Sequence, residues 1–307
     1  MPLGSARSLV AIVLLGAGPA HAHLGGGAGD PWWHHLDPLT ALLLLVSATL
    51  HARGRLALAA RSRRGGREQQ RLARRFQLGL MLLALAVLSP LDAWGEQLFS
   101  AHMVQHELLI LGAAPLLVSA RPLPVLMWGL PARWRAALAR GGRHAAWRAP
   151  WRVLSAPLVA WALHAATLWQ WHLPTLFEAA LNDPLVHGLQ HMGFFGSALL
   201  FWWSLLGSGA RIARPGIGVI AVFTTALHSS LLGALLSFSP SVWYPSYLAT
   251  APRWGLTALQ DQQIGGLIMW VPAGLVFIGI GLMLLEQWLR QPPPEPEPAR
   301  LPPWQRP

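Results

Sequence analysis

The chain has 307 residues, of which 53% are hydrophobic and only 11% charged. A soluble protein carries roughly 25% charged residues, so this composition excludes an ordinary globular domain and points to a polytopic, all-α membrane protein. The net charge of +11 comes from arginine alone, and with no cysteine a disulfide framework and a thiolate metal site are both excluded.

Residues 1–22 read as a secretory signal: Arg7 is the positive end, Leu9–Ala17 a short apolar core, and Ala20-His21-Ala22 a small-x-small cleavage site. Seven apolar spans follow, at about 36–56, 76–92, 101–120, 153–172, 185–206, 215–238 and 264–287. The expected division is a signal peptide over 1–22, a seven-helix membrane domain over 23–288 and a Pro-rich tail over 289–307. Absence of lysine is read as codon bias.

Arginine sets the expected orientation. The connection after the first span holds Arg53, Arg55, Arg61, Arg63, Arg64, Arg67, Arg71, Arg74 and Arg75. The one after the third holds Arg121, Arg133, Arg135, Arg140, Arg143, Arg148 and Arg152, and the one after the fifth Arg211 and Arg214. The opposite connections hold only Arg253, beside Asp92, Glu96, Glu178, Asp183 and Asp261. Arginine excess marks the cytoplasmic side, so the chain reads as a multi-pass plasma-membrane protein, mature N-terminus outside and C-terminus inside. Trp32, Trp33, Trp94, Trp169, Trp171 and Trp243 fall near the outer boundaries, as interfacial aromatics do. A basic charge distributed this way argues for topology and against nucleic acid as a partner.

The pattern H-x-x-Q-H occurs twice, as His102 to His106 and as His187 to His191, each with an adjacent methionine, Met103 or Met192. With the expected topology both open a span that descends from the outer face. Residues four apart share a helix face, so each pair can present two imidazoles to one point. His172 ends the fourth span on the same side, and Asp261 opens the approach to the seventh. His34 and His35 precede the first span, and a mature N-terminal His23 is a further weak candidate. His164 and His228 fall near mid-membrane. Imidazole suits copper, zinc and iron, and thioether adds a preference for Cu(I). The candidate metal ligands are therefore His102, Met103, His106, His172, His187, His191, Met192, His228 and Asp261. The competing reading is structural: interfacial histidines as amphipathic residues, or polar side chains bonding helix to helix. For His164 the structural reading leads. Glu107, inside the third span, either pairs with a histidine or stays protonated. The small-residue patches "HSSLLGALLS" and "IGGLIMWVPAGLVFIGIG" suit close helix packing.

The stretches Leu88 to Val118, Trp169 to Phe195 and Leu256 to Pro272 together resemble the membrane core of the caa(3)-type cytochrome c oxidase assembly factors, the CtaG type. The resemblance covers about residues 36–288, and its specificity lies in the ordered set of three motifs. The matching positions are His102, Met103, Gln105, His106, His172, His187, His191, Asp261 and Gln262. It implies a seven-helix membrane protein that helps form active haem-copper oxidase, through copper supply or metal-site maturation.

The leading expectation is a non-enzymatic assembly factor that holds copper at the outer face, with an oxidase subunit or a copper donor as partner and the lipid bilayer around it. A haem-binding membrane electron carrier is the alternative, since histidines on facing helices can be axial ligands. A metal-dependent membrane hydrolase, with Glu107 or Asp261 as base, ranks lower because no H-E-x-x-H occurs.

Overall fold

A computed structural model of the chain describes residues 37–61, 66–207 and 215–290. The expected signal peptide, His23, His34, His35 and the Pro-rich tail from Gln291 onward lie outside the described residues. Among those described there is helix and turn and no strand, which agrees with the all-α class.

The first helix, α1 (Pro38–Ala59), starts on an Asp37 cap whose carboxylate accepts from Leu39 N at 3.3 Å and Thr40 N at 2.8 Å. The next, α2 (Gly66–Val87), begins in the arginine-rich connection, about ten residues before the apolar span expected at 76. Arg, Glu and Gln are strong helix formers, so the helix runs through the polar stretch. It stops before Ser89-Pro90, where Ser89 caps the short α3 (Pro90–Gly95).

The third expected span is one rod from Phe99 to Ser119 in three parts: α4 (Phe99–Glu107), a π-helical segment (Leu108–Ala113) and α5 (Ala114–Ser119). Pro115 explains the middle part. In an α-helix its ring would clash with the carbonyl one turn back, and the wider π turn relieves that. Ala114 N therefore donates to Leu109 O, five residues back. The same register would pair Ile110 O with the N–H that Pro115 lacks. Trp202 supplies the missing donor, its Nε1 reaching Ile110 O at 2.8 Å.

Three helices follow in the next connection: α6 (Pro122–Gly129), α7 (Ala132–Gly141) and α8 (Ala145–Leu154). Then come α9 (Pro157–Trp171), α10 (Pro174–Asn182), α11 (Pro184–Leu206) and α12 (Pro215–Ser237). Two short 3-10 turns, Pro245–Leu248 and Ala251–Trp254, lead to α13 (Ala258–Leu289), which opens on a Thr257–Gln260 capping box.

Among the described residues, four helices are long and apolar enough to cross a membrane: Pro38–Ala59, Phe99–Ser119, Gly216–Ser237 and Ala258–Leu289. The other three expected spans fall short of that standard. In α2 the first half carries Arg67, Arg71, Arg74 and Arg75. The fourth expected span is cut at Ser155-Ala156-Pro157, leaving α9 with 15 residues, about 22 Å at 1.5 Å per residue. The third is α11, whose 23 residues include the polar set His187, Gln190 and His191.

Close packing joins the rods where glycine allows it. A Cβ on Gly54 of α1 would lie 1.8 Å from Val125 O of α6, and one on Gly129 of α6 would lie 2.1 Å from Leu50 O of α1. Between α12 and α13 the same exchange occurs at Gly233 and Gly266, each facing the other's carbonyl within 2.8 Å. The expected small-residue patches supply Gly233 and Gly266 to this contact, whereas Gly274 and Gly279 of the second patch meet no neighbour.

Candidate metal centre

Five histidines from α4, α9 and α11 meet at one end of the bundle. His102 and His106 lie one turn apart on α4, with ring centroids 4.4 Å apart; His187 and His191 do the same on α11 at 4.3 Å. Across the two helices His102 is 5.5 Å from His187 and 6.1 Å from His191, and His106 is 5.7 Å from His191. His172, at the C-terminal end of α9, brings its ring 6.2 Å from His106. His102, His106 and His191 each offer a nitrogen, and these three atoms lie within 4.8 Å of one another. Asp92 of α3 forms an overlapping group with His187 and His191 at the same spacing.

The second neighbours of the rings decide which nitrogen is free. His172 Nδ1 sits 2.7 Å from Leu168 O, a carbonyl that can only accept, so Nδ1 carries the proton and Nε2 presents a lone pair. Gln190 Oε1 lies 3.2 Å from His102 Nε2 and holds that ring in place. His172 Nε2 and His102 Nδ1 are buried without a hydrogen-bond partner, as are both nitrogens of His106 and the Nε2 atoms of His187 and His191. A buried polar atom with no partner costs about 1–3 kcal/mol, so six of them on five neighbouring rings call for a bound group. Imidazole nitrogens in this number fit a transition metal, and among the ions they suit are copper and zinc.

Aromatic rings close the site on two sides. Phe177 of α10 packs 4.9 Å from His102, and Phe194 of α11 packs 4.3 Å from His106. Behind Phe177 stand Tyr244 at 4.2 Å and Phe99, itself 4.9 Å from Tyr244. Tyr244 OH donates to His172 O at 2.9 Å, and Tyr247 OH donates to Gly95 O at 2.8 Å. Burial first, and then the Glu178 carboxylate, push the Tyr244 phenol up, and burial with Asp261 does so for Tyr247. Both phenols therefore stay protonated donors and tie the α12–α13 connection down over the histidines.

The remaining candidates have other neighbours. Asp261 accepts from Phe99 N at 2.6 Å and Ser100 N at 3.1 Å, and from the Ser100 hydroxyl. It caps α4, whose Leu98 N-cap offers no side-chain acceptor, and so spends both carboxylate oxygens on the helix N-terminus. Gln262 accepts from Trp243 N at 2.6 Å and donates to Ser241 O at 3.2 Å. Met103 lies about 100° around the helix from His102 and faces α13, where a Cβ on Gly265 would meet its Cγ at 3.2 Å. Met192 is partly buried beside His191. His228 on α12 lies outside the five-histidine cluster, near Trp161 at 6.2 Å between ring centroids. Glu107, at the entrance to the π segment, has a buried Oε2 with no protein partner.

Asp92 joins the candidate group with His187 and His191 without having been a candidate from sequence, which marks it only as an acidic residue of an expected outer connection. It also accepts from Gln105 Nε2 at 2.6 Å, which ties the first H-x-x-Q-H to α3. The available signal is a carboxylate ten residues before His102, in a connection expected on the same side of the membrane.

Fold and site together define a helical, membrane-embedded protein with a buried polyhistidine centre. The chain belongs to the cytochrome c oxidase caa3 assembly factor family, whose model matches residues 49–291. It is similar to an uncharacterized protein of Mycobacterium bovis and another of Mycobacterium tuberculosis, each 28% identical over 217 residues, covering 66% of this chain and 32% of the relative. An uncharacterized protein of Mycobacterium leprae is 25% identical over 229 residues, covering 69% of this chain and 33% of the relative. The chain thus spans about a third of the length of these relatives. No solved structure matches it.

Proposed function

We propose that this protein is a non-enzymatic assembly factor that holds copper as cargo for a cytochrome c oxidase subunit. The observation that carries the reading is the group His102, His106 and His191, with three ligand nitrogens within 4.8 Å. Family membership supplies the oxidase as client. His102, His106 and His191 would hold the ion, with His172 and His187 beside them and Asp92 on the flank. Copper binding there requires neutral imidazoles, and the Leu168 carbonyl presets the tautomer of His172. Seven spans, with the histidine end outside, match the alternation of arginine-rich connections. That side is where an oxidase would receive copper, and the plasma membrane would be the location.

The haem alternative fares worse on geometry. Haem ligation would use one imidazole from each of two facing helices, whereas three nitrogens within 4.8 Å of one another, from His102, His106 and His191, suit a single small ion better. The test is Cu(I) titration of the purified full chain with an optical spectrum. The expected result is saturable copper binding and no Soret band. Stoichiometric haem, or no copper binding, would overturn the reading.

A further inference from the structure

The end of the bundle opposite the histidines carries a different chemistry. The rod Phe99–Ser119 holds His102 and His106 in its first turns and covers about 30 Å at 1.5 Å per residue. Its far end leads into α6, α7 and α8. Gly54 and Gly129 seat α6 on α1 backbone to backbone. That contact brings Trp128, next to Gly129, to the end of α1, just beyond which stands Arg61. The guanidinium of Arg61 lies 4.6 Å from the Trp128 ring centroid, and that of Arg135, from α7, lies 4.2 Å from the same centroid. The two like charges are therefore held within about one Debye length, roughly 8–10 Å in physiological salt, and they repel.

No carboxylate offsets them. Among the described residues, Glu68 takes Arg71 and Glu286 takes Arg290, and neither Arg61 nor Arg135 has an ion pair. The sequence holds no acidic residue between Glu107 and Glu178. Arg61 donates one N–H to Ala57 O at 2.9 Å and keeps its others. The indole attracts both cations but has no net charge, so an anion is what the pair lacks. The neighbouring surface says which anion. On α7 no residue is buried, and on α8 only Trp151 is, its ring meeting Trp203 of α11 at 5.8 Å. Trp134, 55% exposed, and Trp147, Val153 and Leu154 are left uncovered by protein. Along α8, Trp147, Trp151 and Leu154 share one side, and Arg148 and Arg152 share another. Apolar rings beside arginines on short helices suit a membrane border. A dissolved anion or an acidic protein loop would satisfy the arginines and leave those rings in water. An anionic phospholipid supplies a phosphate to the arginines and acyl chains to the rings.

We infer that Arg61, Trp128 and Arg135 form a headgroup site for an anionic phospholipid, with the exposed apolar residues of α7 and α8 in the same leaflet. The inference does not depend on copper. Native mass spectrometry of the full chain in detergent, titrated with phosphatidylglycerol and separately with phosphatidylcholine, tests it. Phosphatidylglycerol should bind saturably, and phosphatidylcholine about 10-fold more weakly or worse. Arg61→Gln combined with Arg135→Gln should abolish that preference. Arg67→Gln combined with Arg74→Gln makes the same charge change on exposed arginines of α2 and should alter it less than about 2-fold. Unchanged melting temperatures show that both double variants fold. Equal binding of the two lipids by the native chain, or equal loss in the two double variants, would overturn the proposal. So would full displacement of the lipid by equimolar inorganic phosphate, which identifies a site for the dissolved anion.

Discussion

Two groups of buried imidazoles in this molecule share an apolar setting and differ in how many rings come together. At the histidine end, His102, His106 and His172 are no more than 3% exposed and meet His187 and His191. Deeper in the bundle His164 is 1% exposed, and its companion His228 is partly buried. His164 Nδ1 pairs with Ser197 Oγ at 3.0 Å, and its ring stacks on Phe201 at 5.3 Å. Both groups leave ring nitrogens unpartnered. Burial and a free nitrogen are therefore common to the two, and multiplicity separates them. Three converging ligand atoms make a coordination site, whereas two imidazoles with Ser197 and Trp161 nearby can be satisfied by hydrogen bonds or a water.

The largest expected effect falls on the first group. His106→Ala should reduce Cu(I) affinity at least about 10-fold, since losing even a supporting partner of a metal ligand costs that much. His106 sits at the crossing of all three helices, within 6.2 Å of His102, His172 and His191 between ring centroids. Oxidase activity in membranes carrying the variant should fall while the amount of inserted protein stays constant. Unchanged copper retention and unchanged oxidase activity would reduce the cluster to helix-bonding histidines, and the contrast with His164 would disappear.

A smaller loss is expected from Gln190→Leu. Gln190 does not belong to the candidate ligand set but contacts His102 Nε2 at 3.2 Å and holds that ring in place. Without that contact the ring is freer to turn, and affinity should drop by up to about 10-fold. His172 provides the internal control, because its tautomer is held by a backbone carbonyl that no side-chain change removes. Equal copper titrations for native and Gln190→Leu protein would show that ligand orientation comes from packing alone.

How much of this was legible in the sequence follows from what each residue is asked to do. The H-x-x-Q-H pairs were legible because an i, i+4 spacing is a statement about one helix face and needs no tertiary information. His172 was placed by depth along its own span. Three things were not legible. Asp261 looks like a ligand in one dimension, yet α4 begins at Leu98 with no cap of its own, and a carboxylate from α13 serves it. Met103 is adjacent to His102 in sequence and so must point elsewhere; it packs toward Gly265. Asp92 depends on how short α3 folds back on α4, which a hydropathy pattern does not encode. Span boundaries erred where apolar runs and helices part company, at the arginine-rich start of α2 and the proline break before α9.

Asp261 offers the next comparison, between a ligand and a cap. As a cap, Asp261→Ala should cost about 0.5–2 kcal/mol of stability, read as a lower melting temperature, with copper affinity changing only a few-fold as α4 frays. As a ligand, its removal would instead match His106→Ala in copper loss. The two readouts move in opposite proportion, so a single pair of measurements assigns the residue.

The smallest effect on copper is expected from the deeper pair. His164→Ala and His228→Ala should leave Cu(I) affinity within about 2-fold of the native value, because neither ring stands among the atoms that converge at the histidine end. Their cost should appear in stability. Removing His164 leaves Ser197 Oγ without its ring partner, though Ser197 can still donate to Phe194 O at 3.2 Å. The net loss should then stay near the 1–3 kcal/mol of an unmade buried hydrogen bond. His228 is less buried and has no protein hydrogen bond to lose, so its replacement should cost less than that of His164. A copper defect in either variant as deep as that of His106→Ala would mean the two imidazole groups work on the same ion, and that multiplicity at one point is not what distinguishes them.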